Sequence, residues 1–263
     1  DTAAPTRIPA LSASLLGVTG DARALARYRA VCGFAPHRWM PATWPHILAF
    51  PLHMRLLTDP TFPLPLLGLV HLSNRITQRR RLLEGECLDI HCHLGEQRST
   101  ERGIEFDIVT EAHSAGRLVW SEISTTLHRL PKSSVTSTPR TPPALPRYAH
   151  TLDVHAPESL GRRYGRVSGD LNPIHLHALS ARLFGFPRAI AHGMWSKAHC
   201  IAMLEQQIGW GDDPFTIHTA FKKPLFLPGN AKLNWELHGD RLDYQLLNAK
   251  GDAPHLSGDI QLG

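Results

Sequence analysis

An acid, a base and a glycine lie close together in the second half of the sequence. Asp170 and His175 stand five residues apart, on either side of an Asn-Pro pair. Shortly after them, Gly193 begins an apolar stretch with the spacing of a helix. An acid, a base and an exposed helix N-terminus are the parts needed to add water to an activated carbonyl compound, or to remove it.

The segment between the acid and the base is predicted to be a structured turn. Pro173 fixes its own φ and moves Asn172 out of the helical region, so a continuous helix from Asp170 to His175 is disfavoured. Such a turn can aim both side chains into one pocket, where they would share a water molecule. The alternative is structural: Asp170 caps the turn and His175 packs beside it.

Gly193 is predicted to be the first residue of a helix. An N–H at that position lacks a helical partner and carries partial positive charge from the helix dipole. Without a Cβ, the backbone also admits a ligand carbonyl, unless the glycine only serves close packing. His192 and Met194 flank it and are assigned to substrate binding, although His46 at the matching place in the first half favours a structural role for His192.

Composition narrows the class of protein. The 263 residues suit two domains, and 42% apolar with 19% charged residues is typical of a globular protein. No apolar run reaches the roughly 18 to 20 residues that span a bilayer, and no secretory signal is visible. The net charge of +5 comes without a nucleic-acid motif. We therefore expect neither membrane nor nucleic-acid binding, and a cytoplasmic location.

The four cysteines are predicted to be reduced thiols, as is usual in a cytoplasm. Cys87, His91, Cys92 and His93 invite a metal interpretation, but residues 87–93 alternate between apolar and polar types as a strand does. No second ligand pair follows at zinc-finger spacing. We predict no metal site.

The chain is predicted to consist of two similar domains, residues 1–132 and 148–263. Residues 133–147 between them are rich in proline, serine and threonine, which favours an extended linker. Chance similarity of two amphipathic patterns is the alternative to duplication. The halves share histidines at one constant offset, His46 and His53 in the first and His192 and His199 in the second.

Each half shows one long helix followed by a run of strands. Helices are predicted over residues 45–57 and 193–207, and the strands of the second half over 215–221, 231–238, 242–249 and 256–262. One long helix wrapped by an antiparallel sheet is the hot-dog arrangement, of the α+β class. Two tandem copies would place their sheets side by side as a double hot-dog.

The string from Tyr164 to His175, supported by His192, Gly193 and Met194, resembles the signature of the MaoC-like dehydratases, or (R)-specific enoyl-thioester hydratases, in their double hot-dog form. The resemblance implies reversible hydration of trans-2-enoyl thioesters to (3R)-3-hydroxyacyl thioesters. The implied reaction requires no metal or redox cofactor.

The resemblance also implies roles for individual residues. Asp170 and His175 would hold and activate the catalytic water, Ser168 and Asn172 would organise the site, and the Gly193 N–H would polarise the thioester carbonyl. Two alternatives stay open: a hot-dog thioesterase, and an acyl-thioester binding protein without catalysis.

The first half departs from the signature. It has no counterpart of the Asp-to-His string, and Ile47 stands where the second half has Gly193. We therefore expect one active site per chain, with the first half completing the sheet and shaping an acyl tunnel. By analogy, the chain is expected to form a homodimer.

Two short basic clusters fall at corresponding positions of the two halves, residues 79–81 and the pair Lys222 and Lys223. Such clusters suit the phosphates of coenzyme A or the acidic surface of an acyl carrier protein. Ordinary solvated charge is the alternative. Lys222 and Lys223 are the better substrate-binding candidates because they lie in the half that carries Asp170 and His175.

Overall fold

The computed structural model describes residues 7–129, 144–209 and 211–263. The first half contains β1 (Ser12–Val18), α1 (Ala22–Cys32), α2 (Trp44–Leu57), β2 (Leu69–Gln78), β3 (Leu88–Thr100), β4 (Gly103–Ser114) and β5 (Arg117–Arg129). The second half contains β6 (His150–Ala156), α3 (Leu160–Ser168), α4 (Pro173–Leu176), α5 (Ala178–Arg182), α6 (Gly193–Ile208), β7 (Phe215–Phe221), β8 (Gly229–His238), β9 (Arg241–Asn248) and β10 (Pro254–Leu262).

The described strands form one ten-stranded sheet with the order β1-β3-β4-β5-β2-β7-β10-β9-β8-β6. Every pair of neighbouring strands is antiparallel, and the two halves meet where β2 pairs with β7. The strand order of the second half mirrors that of the first. This architecture confirms the predicted double hot-dog fold, and the seam between the halves runs through the middle of the sheet.

The strands bury one face under the helices, as their alternation requires. In β4, Ile104, Phe106 and Ile108 are buried at every second position. In β9, Leu242 and Tyr244 repeat the pattern. Helix α2 packs against β1 and β3 of its own half. The sheet therefore separates an apolar core on the helix side from its more exposed opposite face.

The two long helices begin at different points of the repeat. Ile47 is the fourth residue of α2, whereas Gly193, with which the sequence repeat aligns it, is the first residue of α6. Pro45 explains the earlier start, because proline needs no hydrogen-bond partner for its nitrogen in a first helical turn. Ile47 and Gly193, which the sequence repeat matches, therefore differ in their position within the helix.

The predicted linker falls largely outside the described residues. Residues 133–143 lie there, while residues 144–147 lead into β6, and the Gln245 side chain donates a hydrogen bond to the Pro146 carbonyl at 2.8 Å. The domain limits at residues 132 and 148 stay a prediction. Among the described residues, no helix combines the length and the apolar character needed to cross a membrane.

The end of α1 in the first half holds α6 of the second. Trp195 is 2% exposed, and its indole N–H donates to the Val31 carbonyl at 2.8 Å. One turn further on, His199 Nδ1 donates to the Cys32 carbonyl at 2.8 Å. These two bonds satisfy carbonyls at the C-terminus of α1 that have no partner within the helix.

We expect Trp195→Phe to lower the free energy of unfolding by about 1–3 kcal/mol, because it leaves the Val31 carbonyl buried without its donor. Urea unfolding followed by circular dichroism measures the change. Trp235→Phe is the matched control, since the Trp235 side chain is 7% exposed and its indole N–H has no hydrogen-bond partner among the described residues. Equal losses in the two variants would contradict the role given to the Trp195 bond.

Candidate active site

The acidic residue follows directly on the end of α3. Gly169 has a left-handed backbone with φ of 78°, and its N–H donates to the Gly165 carbonyl at 2.9 Å. This is a common way to end a helix, and glycine adopts it without strain. The Ser168 side chain, 6% exposed, then accepts a hydrogen bond from the Asp170 N–H at 3.2 Å. Ser168 thus fixes the backbone of Asp170.

The turn that follows is built from side-chain bonds to the backbone. Asp170 Oδ1 accepts from the Asn172 N–H at 3.1 Å, and Asn172 Oδ1 accepts from the Ile174 N–H at 3.3 Å. Asn172 thereby caps the four-residue helix α4, whose first residue is Pro173. The structure confirms a turn rather than a continuous helix. It also shows the Asx-type bonds of the structural alternative, in which Asp170 Oδ2 takes no part; this oxygen lies 3.9 Å from His192 Nε2.

The basic residue has a defined tautomer. His175 is 8% exposed, and its Nδ1 lies 2.8 Å from the Ile190 carbonyl oxygen. Because a carbonyl can only accept, the proton is on Nδ1 and the lone pair of the neutral ring is on Nε2. Burial lowers the pKa of His175, while the charge of Asp170 and the bond to Ile190 act in the opposite direction. A neutral ring with a free Nε2 is the form that can take a proton.

His192 lies behind the acid and the base. It is 2% exposed, its Nε2 donates to the Asp170 carbonyl at 3.0 Å, and its ring stacks on His175 with centroids 3.7 Å apart. Burial and the neighbouring His175 lower the pKa of His192 well below its usual value. These contacts favour a structural role for His192. Met194, 7% exposed, is also buried, and substrate contacts for both residues stay predictions.

Gly193 stands at the start of α6 against an aromatic ring. A Cβ at this position would lie 3.2 Å from two ring atoms of Phe221, so only glycine leaves this contact relaxed. Lys222 and Lys223 follow Phe221 directly, and both are exposed. The structure therefore places the two lysines at the same end of α6 as Gly193.

The basic cluster of the first half is partly neutralised. Arg80 forms an ion pair with Glu86, and Arg81 is buried, with a 3.0 Å contact to Glu205 of α6. Fewer of these charges remain for a ligand than the sequence suggested.

Two glycines that sequence reasoning missed allow the acid and the base to come together. A Cβ on Gly161 would lie 1.7 Å from the His175 carbonyl oxygen, and one on Gly165 would lie 2.9 Å from the Asp170 carbonyl oxygen. Both residues lie on one face of α3, four positions apart. Glycine inside a helix is costly, so its recurrence at this spacing was a usable signal. The Ile190 carbonyl gave no such signal in the sequence, because every residue has a backbone carbonyl.

The first half carries a degenerate copy of the acidic turn, which was also missed. Helix α1 ends, as α3 does, in a left-handed glycine, Gly33 with φ of 86°. The residue after it is Phe34, 7% exposed, where the second half has Asp170. The matching residues before the glycine are Tyr28, Val31 and Cys32 in the first half and Tyr164, Val167 and Ser168 in the second.

Residues of the first half border the site on two sides. The Phe50 ring of α2 lies 3.5 Å from the position of a Cβ on Gly169. On the other side, the rings of His71 and Phe221 have centroids 4.7 Å apart. The site is therefore bounded by both halves.

Two groups of described residues have the spacing of metal ligands, Asp170 with His175 and His192, and His46 with His53 and Glu122. Hydrogen bonds already use nitrogens in both groups, since His175 and His192 donate to carbonyls and His46 Nδ1 bonds to Glu122 at 2.8 Å. Neither group contains a cysteine. Cys92 is buried and donates to Thr110 Oγ1 at 3.5 Å, whereas Cys87 is exposed.

Comparison with known proteins gives consistent results. The family described as MaoC like domain matches residues 134–249. The chain is 34% identical over 246 residues to "3-hydroxyacyl-thioester dehydratase X" of Mycobacterium tuberculosis, covering 92% of this chain and 85% of that protein. The crystal structure of HtdX of Mycobacterium tuberculosis has a TM-score of 0.82 at 30% identity, covering 96% of this chain and 100% of the other.

A MaoC-like dehydratase from Phytophthora capsici shares the fold, with a TM-score of 0.78 at 17% identity over 97% of this chain and 95% of the other.

We expect Gly161→Ala to lower the free energy of unfolding by about 3 kcal/mol or more, because the new methyl group collides with the backbone of His175 and the turn must move. Gly211→Ala is the matched control, since its Cβ would have no neighbour nearer than 3.8 Å. Thermal and urea unfolding measure both variants. A Gly161 variant as stable as the control would show that the turn is not seated on α3 as described.

Proposed function

The chain belongs to the MaoC-like dehydratases, and from that premise we propose that it interconverts trans-2-enoyl thioesters and (3R)-3-hydroxyacyl thioesters by adding or removing water. One observation carries the proposal above all. A carboxylate and a neutral imidazole with a free Nε2, Asp170 and His175, lie in one turn beside the N-terminus of α6.

In the hydration direction, Asp170 and His175 hold a water molecule between them. His175 Nε2 takes a proton from this water while its oxygen forms a bond to C3 of the substrate. The electrons of the C2–C3 double bond move toward the thioester, whose oxygen gains negative charge. His175 then gives this proton to C2, which returns the ring to its neutral form and completes the 3-hydroxyacyl product. Dehydration follows the same steps in reverse.

Gly193 stabilises the charge that develops on the thioester oxygen. The N–H groups in the first turn of α6 have no helical partners and point away from the helix, where the dipole adds partial positive charge. Such donors stabilise the transition state more than the ground state, because the oxygen is more negative there. The missing Cβ keeps the contact of Gly193 with the Phe221 ring relaxed.

Ser168, Asn172 and His192 position the acid rather than react. Each forms a hydrogen bond with the backbone of the catalytic turn. Ser168 and His192 bond to the backbone of Asp170, and Asn172 bonds to that of Ile174. Their loss would move the carboxylate without removing it.

The first half lines part of the active site and does not form a second one. Phe34 replaces the acid in its copy of the turn, and this supports one active site per chain. The contacts of Phe50 and His71 support a tunnel that both halves line, so we infer that residues 1–132 and 148–263 act as one unit. Cys32, Cys92 and Cys200 are buried free thiols, which suits a reducing cytoplasm.

We expect Asp170→Asn and His175→Gln each to lower kcat for trans-2-enoyl-CoA by about 10²- to 10⁴-fold, the range of general acid–base catalysis. Loss of the enoyl-thioester absorbance measures the rate. Asp153→Asn is the matched control, because this exposed carboxylate lies in β6 and forms an ion pair with Lys232.

A parallel assay for free thiol separates the alternatives. Thiol release by the wild type would indicate a thioesterase. Tight binding with neither reaction, for coenzyme A and carrier-protein substrates alike, would indicate a binding protein.

The two lysines support recognition of the phosphates of coenzyme A or of the acidic surface of a carrier protein. We expect the variant Lys222→Glu with Lys223→Glu to raise KM for enoyl-CoA about tenfold through charge repulsion. An N-acetylcysteamine thioester, which lacks phosphates, should keep its KM. Lys250→Glu, an exposed turn lysine, is the control. An unchanged KM for enoyl-CoA would remove the lysines from the site.

A further inference from the structure

A lysine lies fully buried in α6, one turn after Gly193. Lys197 is 0% exposed, and its ammonium donates to Asn74 Oδ1 at 2.5 Å, to the Asn74 carbonyl at 3.0 Å and to the Ile217 carbonyl at 3.4 Å. Asn74 lies in β2 and Ile217 in β7, the two strands that form the seam. Lys197 therefore ties α6 to both halves of the sheet.

The chain of bonds continues into the first half. Asn74 Nδ2 donates to Glu122 Oε1 at 2.6 Å and to Ser124 Oγ at 2.8 Å. Glu122 also accepts from His46 Nδ1 at 2.8 Å. The amide of Asn74 thus has one orientation, with its oxygen toward the lysine and its nitrogen toward the carboxylate.

Charge holds this chain together. Burial alone would raise the pKa of Glu122, but the charge and hydrogen bond of His46 and the bond of Asn74 lower it to about 2. Burial lowers the pKa of Lys197 to about 7, against the attraction of Glu122. Buried charges are costly unless they are paired or bonded. The first half supplies the Glu122 charge and both Asn74 bonds, and the second half adds the Ile217 carbonyl.

Stability alone does not explain the arrangement, because apolar residues of similar volume often stabilise a core as well as a buried ion pair. Directional bonds do what apolar contacts do not, since they fix one position of α6 along its own axis. Lys197 and Gly193 lie on consecutive turns of the same helix, so a shift of one moves the other. That shift would change the distance from the Gly193 N–H to the substrate held by Asp170 and His175.

We propose that Lys197 is a positioning residue for the reaction, which the chain Asn74–Glu122–His46 of the first half holds in place so that the N-terminus of α6 meets the thioester oxygen. The inference rests on the proposed function. The proposal assigns a direct part in catalysis to the first half, which lacks a counterpart of Asp170. The contact it controls forms fully only in the transition state, so its loss should lower kcat and spare KM.

The test uses the full chain with the lysine and the carboxylate removed together, Lys197→Met with Glu122→Gln, so that neither is left buried without the other. We expect kcat for trans-2-enoyl-CoA to fall at least about tenfold, with KM changed less than about twofold. Gln245→Leu is the matched control, because it removes another buried amide, bonded to the Pro146 carbonyl, far along the sheet in β9. It should lose stability and keep kcat.

Lys197→Gln is the second variant if the double variant does not fold. It keeps a neutral donor on a shorter side chain, and its kcat should also fall while its KM stays. A wild-type kcat in either folded variant, with only a lower urea midpoint, would overturn the proposal and leave the chain a structural role. A wild type without hydratase activity would instead refute the proposed function, so the two failures are distinguishable.

Discussion

The site depends on one constraint, the hydrogen bonds that clamp the turn from Asp170 to His175 against residues 190–192, which lead into α6. His175 Nδ1 donates to the Ile190 carbonyl, and the Ile190 N–H donates back to the Ile174 carbonyl at 3.1 Å. Two residues later, His192 donates to the Asp170 carbonyl. One clamp therefore sets the tautomer of His175, the backbone of Asp170 and the start of α6.

The clamp requires two backbones to approach α3 more closely than side chains allow, and Gly161 and Gly165 make this approach possible. It also explains why His175 and His192 stack as neutral rings. Two buried imidazolium ions at this distance would repel each other, and burial lowers the pKa of both. The neutral state of His175 and His192, the stacking of their rings and the tautomer of His175 thus follow from one arrangement.

Local chemistry made much of the structure predictable. The strand alternation, the two long helices and the effect of Pro173 on the turn depend on neighbours in the chain, and each appeared where expected. The earlier start of α2 was predictable from Pro45, which favours a first helical turn. The acid and the base were recognisable because their residue types and spacing are specific. Their assigned roles stay predictions that the variants test.

Long-range partners could not be predicted in the same way. Nothing in the sequence near Lys197 indicates that Asn74, 123 positions away, receives its ammonium. A lysine in an amphipathic helix is typically exposed, and its burial follows only from the meeting of β2 and β7. The Ile190 carbonyl is equally invisible, since it depends on the path of the chain and not on a residue type.

The first half has no counterpart of the Asp170 carboxylate, yet its residues bond to the buried Lys197 of the second half. Phe34 fills the place of the acid with a buried ring, so the first copy of the turn became part of the core. Its helix and strands nevertheless hold Glu122 and Asn74, which compensate a charge that the second half cannot bury alone. Because the compensation crosses the seam, the two halves cannot separate without exposing or stranding that charge. On the proposal for Lys197, the geometry of the candidate site depends partly on residues of the first half.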